Sequence, residues 1–208
     1  MLWNRKSGKI RSKAQKVKYS RRFSDHMIQG VLIFTSVLLA FLLNDFRNQH
    51  IERRVSNLAL EAVVNELRQN KSILERWTPR HREMFERSEQ FLITSLDTAS
   101  VFNYWQFTDG PIMSEFITYD TQDIIRQTNP RMDLDTRLLI NRIYRQQEYV
   151  DNALDKLVRE FLGQREVFDE RHVRENYLLF HVLIGDLWGQ GQAMIREYEE
   201  ALATLAKK

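Results

Sequence analysis

The sequence contains no cysteine, and this absence excludes several kinds of protein at once. Without a thiol the chain has no disulfide, no cysteine nucleophile, no cysteine-based zinc site and no iron–sulfur cluster. The absence leaves the compartment open, because a helical domain of this size folds without disulfides on either side of a membrane.

Proline and glycine are scarce, with three prolines and seven glycines in 208 residues. Beyond residue 46, apolar residues recur at spacings of three and four, and no stretch alternates as a strand would. The sequence therefore predicts an all-α fold. It consists of one N-terminal transmembrane helix running into an antiparallel helical bundle of about five helices.

Acidic residues are absent from the first 22 positions, which hold nine of the 31 lysines and arginines. The rest of the chain has a small acidic excess, so the net charge of +3 describes neither part. Such a tail can lie on an anionic leaflet, at about 1 kcal/mol per basic residue. It adjoins an apolar segment and has two aromatic residues for base stacking, Trp3 and Tyr19, which favours lipid over nucleic acid.

Charged side chains are missing again from Met27 to Asn44, over 18 residues. A helix of this length covers roughly 27 Å, close to the hydrocarbon thickness of a bilayer. A soluble helix would show a charged face, and this segment has none. The sequence predicts a transmembrane helix over residues 27–45. Its membrane-spanning residues are expected to be Ile28, Val31, Leu32, Ile33, Phe34, Val37, Leu38, Leu39, Phe41, Leu42 and Leu43.

Two alternatives for this segment are a cleaved signal peptide and the core helix of a soluble protein. Signal cleavage needs small residues after the apolar region, and here the region ends in the sequence FLLND. A core helix would rarely lie next to nine positive charges. The segment is therefore predicted to be an uncleaved anchor.

The basic residues on the two flanks predict the orientation. Seven precede the segment within about 20 residues, whereas Arg47, Arg53 and Arg54 follow it. Because such residues resist translocation, we expect a cytoplasmic tail over residues 1–26 and an extracytoplasmic helical domain over residues 46–208, in a bacterial inner membrane. The seven residues expected to determine topology and contact lipid are Lys9, Arg11, Lys13, Lys16, Lys18, Arg21 and Arg22.

Turn signals divide the predicted extracytoplasmic domain into helices. Breaks are expected at Pro79, Pro111 and Pro130, because the residue before proline avoids helical backbone angles. Glycine is expected to end a helix at Gly163 and to form a loop in the sequence GDLWGQG, residues 185–191.

Apolar spacing and capping residues predict the helices between these breaks. The first continues from the span to about residue 77, and a second follows Pro79. A short one covers about residues 114–127, Asp133 caps a later one, and another runs from about residue 166 to residue 185. The row of the first helix is Ile51, Val55, Leu58 and Ala62, and Leu60, Val63, Leu67, Leu74 and Trp77 widen it. The rows of two later helices are Leu139, Ile143, Val150, Leu154, Leu157 and Phe161, and then Met194, Tyr198, Ala201 and Leu205.

A cluster of aromatic residues precedes the turn at Asp109-Gly110-Pro111. Such a cluster either caps the end of a bundle, which is the more frequent case, or forms an exposed patch for a partner. The members of this candidate partner patch are Phe102, Tyr104, Trp105 and Phe107.

No motif predicts catalysis, a cofactor or a metal. Di-iron bundles need two Glu-x-x-His pairs, and the sequence has none. His172 and His181 are nine residues apart, on opposite faces of one predicted helix. Gly189-x-Gly191 lacks the strand and the third glycine of a dinucleotide site. We therefore predict no catalytic residue, no cofactor, no metal site and no enzyme activity.

Three segments resemble an uncharacterised family of bacterial single-pass membrane proteins with a helical domain after the anchor. They are LLAFLLNDFRNQHIERR, EAVVNELRQN and TYDTQDIIRQTNPRMDLDTRLLINRIYRQ. The chain departs from the family pattern at Phe46, where tryptophan is usual, and at residues 127–130, where a Ser-Ser-Gly turn is usual. The resemblance implies an anchored helical architecture and carries no activity.

The predicted function is a membrane-anchored helical interaction or scaffold protein that contacts anionic lipid and another envelope protein. The alternative is a sensory or ligand-binding bundle. Because 26 cytoplasmic residues cannot form a signalling domain, a sensor would have to signal through a membrane partner. Ser36 and Ala40 form one small-x-x-x-small pair, which leaves homo-oligomerisation open.

Overall fold

The computed structural model describes the backbone of residues 7–207 and the side chains of residues 26–207. The described part of the chain contains no strand, so the predicted all-α class is confirmed. Its four α-helices are α1 (Ser7–Thr94), α2 (Asp120–Thr128), α3 (Leu134–Asp155) and α4 (Val173–Leu205). Contacts within the chain divide it into two compact units, residues 1–54 and residues 55–208.

Helix α1 passes through Pro79, where the sequence predicted a break. A proline inside a helix costs about 3 kcal/mol, because it removes a hydrogen bond and crowds the preceding turn. Pro79 itself is exposed, whereas Trp77, His81 and Met84 around it are buried at helical spacing. Burial of one continuous face on both sides offsets the local cost. The two helices predicted on either side of Pro79 are therefore one.

Helix α4 passes through the glycine-rich sequence that was predicted to form a loop. Two of its glycines allow close packing against α1. A Cβ atom at Gly185 would lie 2.8 Å from the Phe85 ring, and one at Gly191 would lie 2.8 Å from Thr78 Oγ1. These glycines are needed for helix contact, and the cost of glycine in a helix, about 1 kcal/mol each, is offset by burial.

Replacing Gly185 with alanine is expected to lower the free energy of unfolding by about 1–3 kcal/mol, because the Phe85 ring must move. Gly189 is the matched control on the same helix, since a Cβ there would meet no atom within 4 Å. Gly189→Ala is expected to raise the free energy of unfolding by up to about 1 kcal/mol. Urea unfolding of the full chain in detergent measures both, and equal effects would contradict the packing role of Gly185.

Helix α2 begins six residues later than predicted, at Asp120, and stops where predicted. Its C-cap residue, Asn129, has φ 41° in the left-handed region, which asparagine tolerates. Asp133 caps α3 as predicted, because its carboxylate accepts from Thr136 N at 2.8 Å. After α3 a π-helical turn covers Lys156–Phe161.

Short 3₁₀ turns form the rest of the regular structure. Two lie between α1 and α2, at Leu96–Thr98 and Tyr104–Phe107. Two more, Arg165–Phe168 and Glu170–His172, occupy the segment where the sequence predicted the start of a helix at about residue 166. Helix α4 therefore begins at Val173.

Residues 55–208 share one hydrophobic core drawn from α1, α3, α4 and the segment between α1 and α2. The row predicted for α4 is buried, and so is the row predicted for α3 except Leu139, which is half-buried. The stripe predicted for the first helix is buried in part, because Val63, Leu67, Leu74 and Trp77 lie in the core whereas Ile51 and Leu58 are exposed. The core face of α1 consists of Ala59, Val63, Leu67, Asn70, Leu74 and Trp77.

Candidate functional site

The apolar segment of α1 is exposed on every side. All eleven predicted membrane-spanning residues are exposed, from Leu38 at 47% to Phe34 at 69%. Soluble monomers rarely leave a contiguous apolar surface of this extent open to water. None of the described side chains of residues 26–54 buries this segment.

The two hydroxyl residues within this segment are satisfied by their own helix. Thr35 Oγ1 donates to Val31 O, and Ser36 Oγ donates to Leu32 O, both at 2.8 Å. Polar groups in a hydrocarbon layer must find partners within the protein, and these two do. Among the described residues, one helix is long and apolar enough to cross a membrane, by length and composition, and it contains this segment.

Polar and aromatic contacts begin where the apolar segment ends. Gln49 donates to Asp45 Oδ2 at 3.0 Å, and the rings of Phe46 and His50 meet edge to face at 4.5 Å. On the other flank the backbone is helical from residue 7. The side chains of the predicted topology residues Lys9, Arg11, Lys13, Lys16, Lys18, Arg21 and Arg22 lie outside the described part.

A buried polar network joins α1 to the segment before α2, and it begins at Asn70. The Asn70 side chain donates to Thr118 O at 2.9 Å and accepts from Thr118 N at 3.0 Å. Gln147 of α3 donates to the same carbonyl oxygen at 3.2 Å. Asn70 and Gln147 are fully buried, and Thr118 is half-buried. The three bonds hold the backbone of Thr118 between α1 and α3.

Glu66 lies one turn before Asn70 and caps α2. Its Oε2 atom accepts from Thr121 N at 2.7 Å, although the side chain is buried. A negative charge is favourable there, because the first amides of a helix carry partial positive charge. Burial and the neighbouring Glu66 carboxylate also raise the pKa of the Tyr144 phenol, on α3, above its ordinary value.

A second carboxylate extends the network on α3. The Tyr119 hydroxyl donates to Asp151 Oδ2. Burial raises the pKa of Asp151, and the hydrogen bond from Tyr119 opposes that rise. Burial, together with Asp151, also raises the pKa of Tyr119. The arrangement joins the residue before α2 to α3.

Sequence reasoning missed this network, although one signal was present. Glu66 and Asn70 stand four residues apart beside Val63, Leu67 and Leu74, which belong to an apolar row. A carboxylate and an amide at core positions predict buried hydrogen bonds. Their partners cannot be found by spacing, because Thr118 and Thr121 are about fifty positions away.

The histidines lie at separate places in the described structure. His81 is buried, and its Nε2 atom donates to Ile112 O at 2.9 Å. His181 forms a 2.9 Å hydrogen bond with the Ser88 hydroxyl and stacks on Phe85. His172 is exposed at the end of a 3₁₀ turn. Within residues 26–207, no three histidine, aspartate or glutamate side chains are grouped to hold a metal ion.

Acidification below about pH 6.5 is expected to destabilise the fold through His81. Burial lowers the pKa of His81 below its ordinary value of 6.5, so the unfolded chain takes up a proton that the folded chain resists. The free energy of unfolding should therefore fall with pH through this range, by up to about 1.4 kcal/mol per pH unit for one proton. Urea unfolding of the full chain in detergent, at about pH 7.5 and about pH 5.5, measures the change.

His81→Gln is the matched control for this titration. Glutamine keeps an N–H group that can donate to Ile112 O but does not titrate. The variant should lose most of the difference between the two pH values. An unchanged pH dependence in His81→Gln would assign the effect to other groups.

The structure divides the candidate aromatic patch into buried and exposed members. Phe102 and Phe107 are buried and pack against Phe180, at centroid distances of 5.8 and 5.4 Å. Trp105 is 56% exposed and stacks on the half-buried Tyr104 at 4.7 Å. The cluster thus contributes to the core, and one indole remains available to a partner.

Hydrogen bonds to Tyr177 hold the aromatic segment on α4. The Tyr177 hydroxyl donates to Val101 O at 3.0 Å and accepts from Asn103 N at 3.0 Å. Gln106 Nε2 also donates to it, at 2.9 Å. The position of Trp105 is therefore determined by the buried residues around it.

Two neighbouring clefts lie between the C-terminal part of α1 and the segment 104–110. They measure about 300 and about 320 Å³ and share Arg87 and Phe107. Arg87 is ion-paired with Glu83, and the Arg80 guanidinium lies 5.0 Å from the centre of the Trp77 ring. The first cleft is lined by Arg80, Glu83, Met84, Arg87, Phe107, Thr108, Asp109 and Gly110.

Comparisons with known proteins found no match, either to a protein-family model, to a curated protein or to a solved structure.

Proposed function

We propose that this protein is a membrane-anchored helical interaction or scaffold protein of the bacterial envelope. Residues 27–45 cross the inner membrane, the basic tail lies in the cytoplasm, and the rest forms an extracytoplasmic antiparallel bundle. One observation carries the proposal: the predicted membrane-spanning side chains, from Ile28 to Leu43, surround α1 and are all exposed. A bilayer is the environment that gives such a helix apolar contact on every side.

An interaction role is favoured over catalysis by what the domain leaves at its surface. Trp105 is exposed on a segment held by buried residues, and Leu178, Leu179 and Val182 are exposed on adjacent turns of α4. Large exposed apolar side chains in a group are typical of protein contacts. The Glu66, Asn70 and Gln147 side chains of the network, by contrast, are buried and bind backbone groups. The proposal assigns no catalytic activity to the chain.

The second candidate function is that of a sensory or ligand-binding domain. The observation that favours it is the cleft beside Arg80 and Arg87, where Glu83 and Asp109 bring charges of both signs to one rim. Converging polar groups over an apolar floor are the ordinary design of a ligand site. A ligand of this cleft should raise the melting temperature of the wild-type chain by mass action, and it should do so less in Arg80→Ala.

The orientation of the chain is tested with reporters fused after Lys208. A reporter active only in the periplasm should work there, and a reporter active only in the cytoplasm should be silent, because basic residues are retained inside. The reverse pair of results would overturn the proposed topology.

Replacing Lys13, Lys16 and Lys18 with glutamine tests the part that the tail plays. The variant should shift a measurable fraction of molecules to the opposite orientation, since the excess of basic residues before the span becomes small. Replacing Arg53 with glutamine is the control and should strengthen the original orientation. Salt-sensitive nucleic-acid binding by the tail, lost in the triple variant, would instead support the nucleic-acid alternative.

A further inference from the structure

One apolar row of α1 lies outside the hydrophobic core. It contains Ile51 and Leu58, which are 50% and 56% exposed, and Val55 and Ala62, which are half-buried. The core face of the helix is a different one, since Ala59 is buried beside them. Leucine and isoleucine at regular spacing on a partly covered helix face are typical of a contact surface.

The spacing of this row is that of a coiled coil. With Asn48, Val55 and Ala62 at position a of the heptad, Ile51 and Leu58 occupy position d. A β-branched residue at a with leucine at d favours two parallel strands, and an asparagine at a selects one register. Val55, Leu58 and Asn48 meet these three conditions.

Charges beside the row also fit two parallel copies. Arg47 occupies position g and Glu52 position e of the following heptad. In a parallel pair, position g of one strand faces position e of the next heptad on the other strand. Two copies in the same register therefore bring Arg47 of each next to Glu52 of the other, on both sides of the seam.

We propose that two copies of this chain pair in parallel through the α1 seam, defined as Asn48, Ile51, Val55, Leu58 and Ala62. The seam is self-complementary, so a second copy is its occupant. The parallel direction rests on the proposed function, because two copies anchored in one membrane leave it with the same orientation. A seam of two heptads would be too weak between free peptides. Here the helix already exists, and confinement to a membrane raises the effective concentration of the partner.

Disulfide crosslinking tests the seam without interference, because the chain has no thiol of its own. Ile51→Cys and Leu58→Cys place thiols in the seam, where paired Cβ atoms come within disulfide distance. Arg53→Cys and Asn57→Cys are the matched controls, since both side chains are exposed on the opposite face of the helix. The full chain is oxidised in isolated membranes and separated on non-reducing gels.

Seam variants are expected to give roughly tenfold more disulfide-linked dimer than the controls. Adding Leu58→Asp to Ile51→Cys should bring the dimer down to the control level, because a charge replaces an apolar seam contact. Equal crosslinking at all four positions, or none at any of them, would overturn the proposal. So would crosslinking confined to Ser36→Cys and Ala40→Cys, which would assign pairing to the apolar segment.

Carbonate washing of the same membranes distinguishes a failure of the seam proposal from a failure of the proposed membrane anchor. A chain that stays in washed membranes but crosslinks without positional preference is anchored and does not pair through the seam. A chain that leaves the membranes contradicts the anchor itself. In that case, seam-specific crosslinking in the soluble fraction would still support pairing.

Discussion

Leu38→Arg is expected to release most of the protein from the membrane. Leu38 stands near the middle of the apolar segment and is exposed there. A charge at the centre of a membrane helix costs about 2.5–3.5 kcal/mol on insertion scales, which corresponds to roughly a 60- to 300-fold shift in insertion. The measurement is the fraction of the chain that resists carbonate extraction, in Leu38→Arg and in wild type.

Two controls make the result specific to charge within the segment. Leu38→Phe keeps the position apolar and should remain in the membrane fraction. Asn57→Arg adds the same charge at an exposed position of α1 outside the segment and should also remain. If Leu38→Arg is retained as wild type is, the apolar segment does not hold the protein in the membrane.

Phe102→Ala is expected to lower the free energy of unfolding by about 3–5 kcal/mol. The Phe102 ring is almost completely buried and lies 4.9–5.8 Å, between centroids, from the rings of Phe161, Tyr177 and Phe180. Its removal leaves a cavity that these neighbours cannot fill without losing their own contacts. Urea unfolding of the full chain in detergent, followed by near-ultraviolet circular dichroism, measures the loss.

Trp105→Ala is the matched variant, because it removes a larger ring from the same segment. Trp105 is mostly exposed, so the free energy of unfolding should change by about 0.5 kcal/mol or less. The same variant should weaken crosslinking to an envelope partner if the indole contacts one. A large loss of stability in Trp105→Ala, or a small one in Phe102→Ala, would reverse the division of the aromatic cluster described above.

Local patterns in the sequence were sufficient for the features that depend on neighbouring residues. The absence of charge from Met27 to Asn44 specifies an all-apolar helix, whatever surrounds it. Asp133 caps α3 through its own third neighbour, and Asn129 ends α2 by adopting a left-handed conformation. The row from Met194 to Leu205 is buried as its spacing predicts. In each case the interacting groups lie within one or two helical turns.

Pro79 and the glycine-rich sequence at residues 185–191 were predicted to interrupt helices, but they do not. Their energetic cost is visible in the local sequence, whereas the contacts that offset it come from distant residues. Pro79 breaks a helix only if nothing offsets its lost hydrogen bond, and the buried face from Trp77 to Met84 does so. Gly185 suggests a loop until Phe85 is found against it. The contacts that offset these two costs cannot be predicted from the local sequence.

The sequence by itself determined the all-α class, the apolar helix, the C-terminal end of α2 and the start of α3, because short-range geometry and composition control them. Tertiary structure alone decided which part of the apolar stripe of α1 enters the core, which aromatic residues are buried, and which backbone groups Glu66 and Asn70 bind. These outcomes depend on contacts between residues tens of positions apart. The stripe is buried only where other elements of the chain cover it, so Val63, Leu67 and Leu74 are buried while Ile51 and Leu58 stay exposed.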